Sequence, residues 1–182
     1  WNGTGTHWTS GKVGKGGNFN GSDDYVAGTD DPLDMTGDMT VSAWIKTTDK
    51  SAVKVPVSKY NSTAGVERGW VLLYGTDGNP GFDGRTGAGA YYSSGKTGPD
   101  VADGNWHHLT GIRSGTTWMI YVDGVLRSSA TGGSGRFANN VSLNIGRNVN
   151  PEGGPGNYFN GSIDQVRVFN YARSAAQIAW DY

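Results

Sequence analysis

The chain has 182 residues, a net charge of −1 and no cysteine; this length can bury one core of its own, and disulfides, thiolate metal sites and a Cys nucleophile are excluded. The charges are scattered without a basic patch, which excludes an electrostatic nucleic-acid footprint, and no segment approaches the roughly 20 apolar residues that span a bilayer. The 31 glycines follow no three-residue period, which excludes collagen, while seven Trp and nine Tyr set the chain apart from disordered sequences and point to short strands joined by tight turns.

In chain order, the first patterned stretch is "FNGSDDYV" (Phe19 to Val26), and "FNGSIDQV" (Phe159 to Val166) repeats six of its eight residues at an offset of 140. "TVSAWIKT" (Thr40 to Thr47) alternates, with Val41, Ala43 and Ile45 on one face and Trp44 on the other. "GWVLLYG" (Gly69 to Gly75) is apolar almost throughout, as in a strand covered on both sides. "WHHLTGIRSGTTWMIYVDGVLRSS" (Trp106 to Ser129) reads as three strands with turns at Ser114-Gly115 and Asp123-Gly124. "SLNIGR" (Ser142 to Arg147) and "GSIDQVRVFN" (Gly161 to Asn170) complete the strand set. Gly-rich loops are expected at 76–80, 84–89, 132–135 and 148–157. The final "RSAAQIAWDY" predicts a short helix capped by Ser174, with Ala175, Ile178 and Ala179 on one side.

Roughly a dozen short strands with turn signals between them indicate an antiparallel sandwich or barrel. A sandwich normally brings its two termini together on one sheet. The two Phe-Asn-Gly-Ser phrases then share a rim, where their Asp residues can converge.

The ordered set "GNFNGSDDYV", "MTVSAWIKT", "WHHLTGIRSGTTWMIYVDGVL", "LNIGR" and "FNGSIDQVRVFNYARSAAQI" resembles the laminin-G-like jelly-roll domains within the concanavalin-A-like lectin/glucanase sandwiches. The resemblance covers about Asn18 to Trp180. It implies two antiparallel sheets, frequently a calcium ion at the rim, and a position inside a larger extracellular protein. It fixes no function, since such sandwiches host lectins, adhesion modules and enzymes.

Hydrolytic relatives of this superfamily carry acidic residues at alternate positions of one strand, whereas this chain has only Glu67 and Glu152, in Gly-rich or polar stretches. Asp23-Asp24 and Asp30-Asp31 are adjacent, so on an extended strand their side chains face opposite ways. His107, Arg113 and Tyr121 have the residue types of a polysaccharide-lyase site, but they lie in the structural "WHHL…YVDG" segment. No catalytic residue is assigned. Adjacent His107 and His108 cannot ligate one metal without a bend. One imidazole is expected buried and bonded to backbone, the other exposed.

Calcium takes six to eight oxygen ligands. The resemblance places Asp164 first among its ligands, then Gly21 through its carbonyl, then Asp23 or Asp24, with a structural role of pinning the first and last strands together. The alternative is that these Asp residues accept turn N–H groups and bind nothing. Trp44, Trp70, Trp106 and Trp118 are expected in the core. Sugar rings stack on flat aromatic faces beside polar groups, and the residues available are Tyr91, Tyr92, Asp83, Arg85, Tyr60 and Tyr158. The alternative is that one of Tyr91 and Tyr92 faces the core while the other decorates the surface.

The expectation is therefore one all-β domain over residues 1–182, an antiparallel two-sheet jelly-roll sandwich with a short C-terminal helix. Its expected role is that of a non-catalytic, calcium-stabilised recognition module for a polysaccharide or glycan. A chain beginning at Trp1 without Met or signal peptide suggests a mature or excised segment. Fourteen Asp against two Glu, with abundant Asn, Ser, Thr and Gly, suit a secreted or cell-surface setting. The module is expected to be monomeric within a multidomain chain, with no nucleic-acid partner and no membrane insertion. Adhesion to other surface proteins, a structural spacer and a polysaccharide-degrading lyase or hydrolase are the alternatives.

Overall fold

The structure is a computed structural model that describes residues 1–3, 5–28, 33–61, 69–86, 90–133, 139, 141–149 and 157–182. Among them are the strands β1 (Trp8–Ser10), β2 (Lys15–Asn20), β3 (Val26–Ala27), β4 (Met39–Lys46), β5 (Lys54–Tyr60), β6 (Gly69–Tyr74) and β7 (Pro80–Arg85). They continue with β8 (Tyr91–Ser93), β9 (Trp106–Ser114), β10 (Thr117–Val122), β11 (Val125–Thr131), β12 (Asn144–Ile145) and β13 (Asn160–Phe169), followed by α1 (Ala175–Asp181). The strands form two antiparallel sheets, a seven-stranded one in the order β1-β2-β13-β4-β9-β10-β11 and a six-stranded one in the order β3-β12-β5-β6-β7-β8. This is the expected jelly-roll sandwich with its short C-terminal helix.

Alternation along the strands sets the core. Val41, Ala43 and Ile45 of β4 face Trp70, Leu72 and Tyr74 of β6 across the space between the sheets, together with Phe82, Leu109, Trp118 and Ile120. β6 is buried along its whole length, because Val71 and Leu73 on its other face join a second apolar cluster with Val55. The Asp123-Gly124 loop has φ of 53° and 76°, the doubly left-handed pair of a type I′ hairpin, and it closes β10 onto β11 at Val122↔Val125.

Trp44 is buried on the outer side of its sheet, where it stacks on Tyr182 at 5.5 Å and packs beside His108 at 5.1 Å. It therefore does not belong to the core between the sheets. Trp106 is only half-buried. Of the expected helix face, Ile178 is buried while Ala175 and Ala179 are exposed. The helix starts with a capping box between Ser174 and Gln177. The two histidines also differ from expectation. His108 is buried with Nδ1 lacking a hydrogen-bond partner, and His107 is the anchored ring, 2.8 Å from Asp123 and 3.1 Å from Asp103.

The repeated phrases are direct neighbours. β13 lies between β2 and β4, and Asn160 pairs with Asn20, Gly161 with Phe19 and Ser162 with Asn18. Phe19 and Phe159 flank this crossing point edge to face, with ring centroids 6.3 Å apart and both side chains buried. Each phrase supplies one aromatic anchor to the core, and the two phrases meet Asn to Asn in the ladder.

Candidate functional site

The outward face of the six-stranded sheet has cross-strand rows set by its register. Tyr60, Gly69, Arg85 and Tyr91 form one row, and Ser58, Val71, Asp83 and Ser93 form the next. Four of the six expected ligand-binding residues, Tyr60, Asp83, Arg85 and Tyr91, thus share one face. Tyr60, Asp83 and Tyr91 line a cavity of about 220 Å³, along with Val53, Val55, Val71, Leu73, Gly84, Asn148 and Asn157. Val55, Val71 and Leu73 of this lining form one buried apolar cluster, against which Val53 and Tyr60 pack.

Asp83 is buried, and its carboxylate accepts a hydrogen bond of 2.5 Å from the Tyr91 hydroxyl and one of 2.6 Å from the Ser93 hydroxyl. Burial and the neighbouring Asp83 charge push the Tyr91 phenol up to about 12, so it stays a neutral donor. The Arg85 guanidinium lies 5.8 Å from the centroid of the Tyr91 ring and does not line the cavity. Two contacts to the flanking residues place Asn148: the Ser58 hydroxyl donates to the Arg147 carbonyl at 2.8 Å, and Asn61 forms a β-bridge with Val149. The Asn148 Oδ1 is buried and lacks a hydrogen-bond partner. Asn157 is held by its carbonyl, which accepts from the Val55 N–H at 3.2 Å.

The two remaining aromatic candidates lie elsewhere. Tyr92 faces inward, because successive side chains on a strand alternate, and stacks on Trp118 at 6.0 Å. Tyr158 accepts a hydrogen bond from Arg147, whose guanidinium carbon sits 3.2 Å from the centroid of Tyr25. Val53, Val55, Asn148 and Asn157 were not legible as site residues. Their signal, polar residues flanking Gly-rich loops beside a valine-rich stretch, is common to most loops. Glu67, Glu152, Asp30 and Asp31 lie outside the described residues.

The four calcium candidates do not converge. In an antiparallel pair the segments that follow the two phrases leave in opposite directions, so Asp164 stands beside Gly16 while Asp23 and Asp24 lie past Asn20. Four ladder steps separate them, about 13 Å. Asp164 clasps a turn: its Oδ2 accepts the Val13 N–H at 3.0 Å and its Oδ1 accepts the Gln165 N–H at 2.7 Å. Gly21, Asp23 and Asp24 share a turn organised by the Asn20 side chain, whose oxygen accepts the N–H groups of Ser22, Asp23 and Asp24. The Asp24 Oδ1 is buried without a hydrogen-bond partner, 3.6 Å from the His7 Nδ1. No group of three or more His, Asp or Glu side chains suited to a metal occurs among the described residues.

The lyase-like trio is also dispersed. His107 and Arg113 are six residues apart on β9, about 20 Å by strand rise, and Tyr121 packs with Ile112 and Ile178 under the helix.

The sequence pattern of the Laminin_G_3 family, of the concanavalin A-like lectin/glucanases superfamily, matches residues 20–179. The chain belongs to this family. The curated relatives include the sushi, von Willebrand factor type A, EGF and pentraxin domain-containing protein 1 of Rattus norvegicus, 36% identical over 87 residues. That match covers 44% of this chain and 2% of the relative. Among solved structures, this Laminin_G_3 domain is similar to the CBM40 of a Ruminococcus gnavus IT-sialidase, with a TM-score of 0.75 and 16% identity over 91% of this chain and 95% of that one. It is also similar to domain 4 of AbnA, a GH43 extracellular arabinanase from Geobacillus stearothermophilus solved with arabinotriose. There the TM-score is 0.68 and the identity 23%, over 97% of this chain and 81% of that one. These likenesses establish the fold. No helix among the described residues is long and apolar enough to cross a membrane.

Proposed function

We propose that this domain is a non-catalytic carbohydrate-recognition module of a longer secreted or cell-surface protein, and that it holds a sugar in the groove on the outer face of the six-stranded sheet. The observation that carries this reading is the composition of the cavity. An aliphatic cluster, two tyrosines and two buried oxygen acceptors, on Asp83 and Asn148, match a ligand with an apolar ring face and hydroxyl donors at its edge. The sialyllactose-bound form of the CBM40 domain and the arabinotriose complex of the arabinanase domain support it, since both are glycan-bound domains of the same fold. A glycan array with the purified domain, followed by calorimetry on its hits, tests the reading. Binding that is lost in Tyr91→Ala supports it, and a silent array overturns it.

Calcium enters this reading only at the turn from Asn20 to Asp24, in a structural role. The buried, unpartnered Asp24 Oδ1 supports it, with Asp23 and the Gly21 carbonyl in the same turn as further oxygen donors of the kind calcium takes. The His7 imidazole, 3.6 Å away, is the competitor for that oxygen. Asp164 takes no part.

A second reading, protein adhesion, is favoured by the opposite side of the molecule. There Trp180 is 89% exposed, and the Gly124 turn packs against Tyr182 beside exposed Val125 and Leu126. A silent glycan array would leave this reading standing.

A further inference from the structure

We infer that the groove selects neutral sugars and rejects carboxylated ones, because the Asp83 carboxylate is built into its wall as a fixed hydrogen-bond acceptor. This rests on the carbohydrate reading above.

Asp83 is 4% exposed, and each of its oxygens already accepts one hydroxyl proton, from Tyr91 or from Ser93. An ionised carboxylate has about four acceptor sites, so each oxygen keeps one more. Two acceptor sites side by side on one carboxylate suit two adjacent hydroxyls of a sugar ring. The Asn148 Oδ1, buried and without a hydrogen-bond partner, is a third acceptor at the same cavity. All three ask the ligand for protons.

The cavity offers an anion little in return. No Lys or Arg occurs among its described lining residues. The Tyr91 hydroxyl is committed to Asp83, and the high value of its phenol keeps that proton in place. Arg85 lies over the Tyr91 ring and outside the cavity. A ligand carboxylate entering the cavity would meet the buried Asp83 carboxylate, beside which like charges are poorly screened. The volume of about 220 Å³ is below the roughly 300–1,000 Å³ of pockets for drug-sized molecules, so a single ring enters and cannot hold its charge at a distance.

The test compares neutral with carboxylated saccharides on one array, with arabinotriose and α2,3-sialyllactose among the probes. Titration calorimetry follows on the strongest ligand of each class, for wild type and Asp83→Asn. The expected result is binding confined to neutral saccharides, with carboxylated ones weaker by about tenfold or more. In Asp83→Asn, whose folding is checked by its melting curve, neutral binding falls and the gap between classes narrows. Carboxylated ligands bound as tightly as neutral ones by the wild type overturn the inference and leave the carbohydrate reading intact. A gap that survives in folded Asp83→Asn overturns the role of Asp83. No binding of either class fails the carbohydrate reading, and the inference with it. The wild-type comparison decides the inference whether or not the variant folds.

Discussion

The Tyr91 hydroxyl donates a 2.5 Å hydrogen bond to the Asp83 carboxylate across the β7–β8 ladder, so an exposed aromatic ring and a buried charge act as one unit. Tyr91→Ala is expected to weaken glycan binding by about tenfold or more, the scale of an aromatic anchor. Tyr91→Phe should cause a smaller loss, because the ring remains while Asp83 loses a donor. Tyr91 is 54% exposed, but both variants leave a buried Asp83 oxygen short of a donor, so each should also lose about 1–3 kcal/mol of stability. Calorimetry beside thermal denaturation checks both statements.

Phe159 is fully buried between Phe19 and Tyr74, at 6.3 Å from each. Phe159→Ala is expected to cost about 3–5 kcal/mol of stability. Urea denaturation measures this, and a loss below about 1 kcal/mol would contradict a central role for the paired phrases.

The adjacent histidines should respond to pH in opposite senses. Burial works against the charged form of His107, but Asp123 and Asp103 outweigh it and raise its value above 6.5. Its contribution to stability is full below 6.5 and is lost as pH rises through the folded value. Burial lowers His108 to about 4, so its contribution is present above 6.5 and is lost as pH falls towards 4. NMR titration should show the His107 ring deprotonating later than an ordinary histidine and the His108 ring still neutral at pH 5. His107→Gln should destabilise more at pH 5.5 than at pH 8.

Chelation separates the two acidic turns. EDTA is expected to lower the melting temperature of wild type, and Asp24→Asn should abolish that sensitivity. Asp164→Ala should destabilise equally with and without EDTA, by about 1–3 kcal/mol for the loss of a charged clasp on backbone N–H groups. A wild-type melting curve unmoved by EDTA would leave His7, among the described residues, as the neighbour of the Asp24 Oδ1.

Much of the seven-stranded sheet was readable, because its strands alternate cleanly and its turns carry Ser-Gly and Asp-Gly pairs. The second sheet was less so. β5 contains Pro56 and a bulge between Lys54 and Val57, which break the period of two, and β7 reads as a Gly-rich loop, "PGFDGR". Tyr60, Asp83 and Tyr91 were nameable from residue chemistry, yet their shared cavity depends on a register across four strands that spacing does not encode. The pairing of the two phrases was inferable from their likeness. Likeness carries no strand direction, and direction is what separates Asp164 from Asp24.

The position of β13 also sets when the molecule can be completed during synthesis. A nascent chain that has not yet delivered residues 160–169 leaves β2 and β4 as two open edges with a vacant lane between them, the kind of surface that recruits stray strands. Ribosomal release or passage across a membrane must therefore bring out every residue through Phe169 before the larger sheet can close. Truncations that remove this late strand should yield insoluble material rather than a smaller working domain.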